Sequence, residues 1–142
     1  MKADTQTEAE IKALLEEMWT RYAQKDLEGC LELWTGDPDV VAIGTGIDEI
    51  RVGQEELRRA IKRDFEQAGS IKQSIEWLRI SSTRDVAWSA GTITLTTTVN
   101  GKEIVLPARQ TNVYERQDGV WRIVQLHLSL PAGDQAAGRS WK

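Results

Sequence analysis

The sequence has 142 residues, 40% hydrophobic and 28% charged, with a formal net charge of −4. That length suits one domain able to bury its own core, and the mild acidity with interspersed signs argues against nucleic acid or an anionic membrane as partner. A single cysteine, Cys30, excludes an internal disulfide, and one histidine with one cysteine gives no paired ligand spacing, so neither a metal nor another cofactor is expected. The polar start lacks the apolar core of a signal peptide, and no window approaches the roughly 18 apolar residues of a membrane span; a cytoplasmic protein is the expectation.

In chain order, residues 1–6 read as a disordered lead. Thr7 and Glu10 have the spacing of a capping box. Ile11, Leu14, Leu15, Met18 and Tyr22 then recur at helical spacing, which predicts a first helix over 7–24. Asp26 can cap a second, shorter helix carrying Leu27, Cys30, Leu31 and Trp34. Val40 to Ile43 reads as a short buried strand, followed by the glycine-rich Gly44-Thr45-Gly46 and a second short strand over 50–52. A third helix follows Gly53, with Leu57, Ala60, Ile61, Phe65 and Ala68 as its buried stripe and Gly69 as its left-handed terminator. The cluster Arg58, Arg59, Lys62, Arg63, with Glu55, Glu56 and Asp64, reads as the solvated face of that helix.

After Gly69 the period changes to two. Four strands are expected over 71–82, 86–99, 102–116 and 120–130. Asn100-Gly101 and Asp118-Gly119 mark two tight hairpins, because their central positions need positive φ. Pro107 is expected to disturb the ladder at a bulge. Helices first and a strand meander after them predict an α+β fold, with the helices on one face of a curved antiparallel sheet. Residues 132–142 read as a flexible tail.

Three stretches together resemble the SnoaL-like domains of the NTF2-like superfamily. They are Asp37-Pro38-Asp39-Val40-Val41 running into Ile43-Gly44-Thr45-Gly46, with Asp48, Glu49 and Gly53; Thr111, Val113 and Tyr114 with Asp118-Gly119 and Trp121; and Val124, Leu126, His127 and Ser129. The last two are also similar to the association domain of calcium/calmodulin-dependent protein kinase II. The resemblance covers residues 7–131. It implies a cone-shaped, cystatin-like α+β barrel, a pocket between sheet and helices, and homodimers through the outer sheet face. It does not imply one activity, so function rests on the site.

Ketosteroid isomerases of this superfamily use a carboxylate base, a tyrosine and an aspartate. The matching positions here are Ala42, Met18 and Gln110 or Asn112, none of which can take those roles. The basic positions of the kinase association domain fall on Thr92, Asn112 and Leu128, although Arg109 and Arg122 lie nearby in sequence. What remains is an apolar pocket with neutral polar groups. Alternation places Trp88, Ala90 and Thr92 on one face, Gln110, Asn112 and Tyr114 on another, and Val124, Leu126 and Leu128 on a third. Met18, Tyr22, Trp34 and Ile61 would come from the helices. This set suits a small, largely apolar molecule; equally, the same side chains could simply fill the core, with Gln110 and Asn112 serving buried Trp and Tyr.

His127 alternates with Trp121, Ile123, Gln125 and Ser129, which places it on the outer face, where an interface role is expected; a one-residue slip would reverse this. Glu49, in a glycine-rich loop near the pocket mouth, is the other acid–base candidate and reads equally as a solvated loop acid. Three readings stay open: a ligand-binding domain, a variant lyase, isomerase or hydrolase using Glu49 or His127, and a homo-oligomerisation module.

Overall fold

Asp4, not Thr7, starts the first helix. The computed structural model describes residues 1–141. In it the Asp4 carboxylate accepts the Thr7 N–H at 2.8 Å and caps α1, Thr5–Ala23. The preceding residues are not the disordered lead expected. Ala3 donates to Ile80 O and Met1 O accepts from Ser82, which adds backbone pairing to an otherwise open sheet edge and buries Ala3 beneath the helix start.

α1 buries Ile11, Leu14, Leu15, Met18 and Trp19 along one stripe. α2, Leu27–Glu32, is capped by Asp26 and buries Cys30 and Leu31. β1, Val41–Ile43, and β2, Ile50–Val52, form a short hairpin. α3, Gln54–Gln67, starts from Gly53 at φ 84° and ends at an extended Ala68, so Gly69 is not a left-handed terminator. Its terminal carbonyls are taken by another chain segment: Lys25 Nζ donates to Phe65 O at 3.0 Å and to Ala68 O.

The four long strands are β3, Ile71–Thr83; β4, Val86–Val99; β5, Lys102–Gln117; and β6, Val120–Ser129. With β1 and β2 they form one six-stranded sheet in the order β2-β1-β6-β5-β4-β3. All neighbours are antiparallel except β1 and β6, which run parallel. Both expected tight turns are present, with Asn100, Gly101, Asp118 and Gly119 at positive φ. Pro107 makes no bulge. Register runs unbroken through Thr94↔Pro107, and β6 pairs no further than Ser129↔Arg109, so the proline lies where one edge of β5 is unpaired.

The bulges lie elsewhere and set which side chains face the helices. Val124 is the extra residue on β6, between the pairs Val113↔Gln125 and Tyr114↔Ile123. Trp121 and Ile123 therefore turn inward before it and Leu126 and Leu128 after it. The expectation that Trp121 and Ile123 lie outside with His127 is corrected, and Val124 does not share the inner face. On β4 the buried residues are Ala87, Ser89 and Ile93, so Trp88, Ala90 and Thr92 face outward, the reverse of the sequence reading. The reason is size. Small residues stand on the inner side, where Ser89 makes room for the buried Tyr114 hydroxyl, and the large tryptophan stands on the outer side.

Candidate functional site

A cavity of about 140 Å³ lies between the sheet and the three helices. α1 gives it Met18, Trp19 and Tyr22. α2 and the turn after it give Cys30 and Trp34, and α3 gives Leu57, Ala60 and Ile61. Ala42, Leu95, Leu126 and Leu128 close it from the sheet. Each element turns its apolar stripe inward, but three helices of unequal length cannot fill the wide end of a curved sheet, and the space remains. The Cys30 thiol is pushed up to about 12, chiefly by burial, so it is an inert wall residue.

Polar groups gather at the mouth. Tyr22 donates to Asp64 Oδ2 at 2.7 Å, and its ring meets Trp19 and Phe65 edge-on at 5.4 and 5.1 Å. Burial, and then the neighbouring Asp64 charge, pushes the Tyr22 phenol far above its usual value, so it stays a donor. Burial also raises Asp64, against the lowering effect of the Tyr22 hydrogen bond. Glu49 lies alongside, held by Arg63 Nη2 at 3.2 Å, while Arg63 Nη1 donates to Asp48 at 2.8 Å. Arg51 donates to the Asp48 carbonyl at 2.7 Å. The Glu49 carboxylate folds back over Gly44 and Gly46, where a Cβ on Gly44 would collide with it. A second, more open hollow of about 300 Å³ begins at the same place; Tyr22, Glu49, Asp64, Leu95 and Leu128 border both.

Of the residues expected to contact a ligand, Met18, Tyr22, Trp34, Ile61 and Leu128 line the cavity, as does Glu49. Gln110, Asn112 and Tyr114 face inward but lie in the filled part of the core, away from it. Trp19 Nε1 donates to Gln110 Oε1 at 3.1 Å, Asn112 Nδ2 to the Tyr114 hydroxyl at 3.0 Å, and Ser89 Oγ and that hydroxyl share a hydrogen bond of 2.8 Å. These bonds leave Gln110 Nε2 and Asn112 Oδ1 buried without a partner among the described residues, and burial pushes the Tyr114 phenol up to about 12. Trp88 and Thr92 are on the outer face, outside the site. His127 is exposed on that same outer face, paired with Thr111 and Ile43, and takes no part in the cavity.

Asp64 is the residue that sequence reasoning missed. It was grouped with the solvated charges of α3, yet Leu57, Ile61 and Asp64 follow i, i+4, i+7 and share a stripe. A carboxylate on the apolar stripe was the available signal. Among the described residues, no group of three or more His, Cys, Asp or Glu side chains could hold a metal ion, and no helix is long and apolar enough to cross a membrane.

Solved structures share this architecture. An NTF2-like superfamily protein of Salmonella enterica serovar Typhimurium is 16% identical, with a TM-score of 0.86, covering 98% of this chain and 100% of its own. A ketosteroid isomerase-like protein of Erwinia carotovora is 20% identical, with a TM-score of 0.74 and coverage of 87% and 95%. A Xanthomonas campestris protein described as a calcium/calmodulin dependent protein kinase II association domain is 28% identical, with a TM-score of 0.78 and 87% of each chain covered. No curated protein sequence matches the chain. The model of the SnoaL-like domain matches residues 11–133, and the chain belongs to the SnoaL-like family, with the NTF2-like α+β fold.

Proposed function

We propose that the chain binds a small, largely apolar molecule in the cavity between α1, α3 and the sheet. The observation that carries this reading is the make-up of the wall: mostly hydrocarbon and aromatic side chains, with Glu49, Arg51, Arg63 and Asp64 as its charged members. The volume suits one ring or a short branched chain, since an apolar cavity of about 150 Å³ accommodates benzene. Trp19 and Trp34 both line the chamber and report occupancy. Titration with toluene, indole and short branched alcohols is expected to change tryptophan fluorescence saturably, and Ala60→Leu, which fills the chamber, to abolish the change. No response from wild type, or an undiminished one from the filled variant, refutes the reading.

A second reading, a proton-transferring lyase, isomerase or hydrolase, is favoured by the Tyr22–Asp64 pair. A carboxylate with raised proton affinity beside an apolar chamber suits general acid–base work. Glu49 is engaged by Arg63 and His127 is remote, so Asp64 replaces both as the candidate group.

The same chain is proposed to form a homodimer through its outer sheet face. The rows Val52–Val41–Gln125–Val113–Trp88 and Ile50–Ile43–His127–Thr111–Ala90 cross five strands, and Ile50, Val52 and Trp77 are half or more exposed there. Sedimentation tests this: a monomer at micromolar concentration refutes it.

A further inference from the structure

The charges at the cavity mouth do not balance locally. Arg63 is shared between Asp48 and Glu49, and Arg51 is held by Asp48 through its carbonyl and, at 3.8 Å, its carboxylate. Asp64 makes no ion pair among the described residues. Its hydrogen bond is the one that a neutral phenol donates to Oδ2. Of the charges acting on it, Glu49 raises its proton affinity more than Arg63 or Arg51 lowers it. A ligand reaching the narrow point where the chamber meets the outer hollow therefore meets a half-buried carboxylate with spare acceptor capacity.

The rest of the wall suits a cation carried on hydrocarbon. Trp19, Tyr22 and Trp34 border the chamber, and aromatic rings attract an alkylammonium at short range. An anion would be repelled by Asp64 and Glu49. A neutral ligand would strip more water from Asp64 without replacing it, which costs binding energy.

Building on the ligand-binding reading above, we propose that the cavity selects a compact organic ammonium ion, with its aromatic or branched aliphatic group in the chamber and its nitrogen on the free oxygen of Asp64. The outer hollow of about 300 Å³ leaves room for a further substituent on that nitrogen, so secondary amines fit as well as primary ones.

Benzylamine, benzyl alcohol and benzoate have one ring and differ in the charge of the polar end. Calorimetric titration of the wild-type protein at pH 7 is expected to give benzylamine at least a tenfold advantage over benzyl alcohol, with benzoate weaker than both. Asp64→Asn is expected to bring benzylamine down to the level of the alcohol, whose own affinity does not fall, because it no longer has to desolvate a carboxylate. An independent readout keeps the wild-type protein: the carboxyl carbon shift of Asp64, followed against pH by NMR, is expected to titrate at lower pH with benzylamine bound than with benzyl alcohol bound, because a cation favours the ionised form. Equal affinity for amine and alcohol, an amine preference that survives in the variant, or an Asp64 titration unmoved by benzylamine overturns the proposal while leaving the ligand-binding reading intact. Binding of none of the three overturns the proposal, and the ligand-binding reading then stands or falls with the fluorescence titration alone.

Discussion

Under α1 and beside α3, the same inner sheet face meets two different partners. Under α1 the strands carry Ala87, Ser89 and Gly91, and Leu15, Ile75, Ile93 and Gln110 surround a space with no room for water. Beside α3, Leu95, Leu126 and Leu128 look across a gap, and a cavity remains. Both regions hold aromatic rings and polar groups that could bind something. In the first, Trp19 and Tyr114 engage one end of each amide, leaving Gln110 Nε2 and Asn112 Oδ1 buried without a partner and with no space beside them for a ligand; in the second the charged side chains border an open space. The presence of suitable side chains on a face therefore does not make a site. What decides is whether the opposing side chains leave a space between them.

The sharpest test of that contrast is truncation in the filled region. Ile93→Ala is expected to lose about 2–5 kcal/mol in denaturant unfolding, because no existing space absorbs the new hole. Tyr114→Phe is expected to lose about 1–3 kcal/mol by stranding Ser89 and the Asn112 amide, while ligand titrations stay unchanged. If Tyr114→Phe weakened ligand binding, the separation of the two regions would fail.

A smaller effect of opposite sign is expected at the rim. Asp64 has a higher proton affinity folded than its unfolded value of 3.8, so the folded state binds more protons between the two values and stability falls as pH rises through that window. Asp64→Asn escapes the loss. Its Tm is expected to exceed that of wild type at pH 7, and the gap to close below pH 3.8. A melt at pH 7 in which the variant is less stable would show that Asp64 is better solvated than its burial indicates. Smallest of all, His127→Gln on the exposed outer face is expected to shift monomer stability by no more than about 0.5 kcal/mol and to leave cavity binding alone.

Most of the architecture was legible because it rests on local chemistry. Helical spacing from Ile11 to Tyr22, the shift to a period of two after Gly69, and the paired positive-φ turns at Asn100 and Asp118 each act within a few residues. The site was legible only in part. Met18, Trp34, Ile61 and Leu128 were found because an apolar stripe points to the interior. Trp88 and Thr92 were misplaced because alternation groups residues on one face of a strand without saying which face is inner, and here the inner face is that of Ala87, Ser89 and Ile93. The phase of β6 depends on one extra residue at Val124, which no local pattern announces. Asp64 was hidden among the arginines and lysines of α3. Its distinction is a position on the apolar stripe, visible only when charge and periodicity are read together.

The one parallel pairing has a consequence for the order of assembly. β1 has no antiparallel partner except the three-residue β2, and Val41 finds its place on the sheet only against Gln125. Closing so long a stretch of chain is slow compared with zipping the β3–β4 and β4–β5 hairpins. The wall that carries Ala42, and the loop that carries Glu49, are therefore expected to settle only after β6 has joined the meander. Amide hydrogens of β1 are expected to exchange faster than those of β4 and β5, and a ligand that seats against Ala42 acts on the last step of folding.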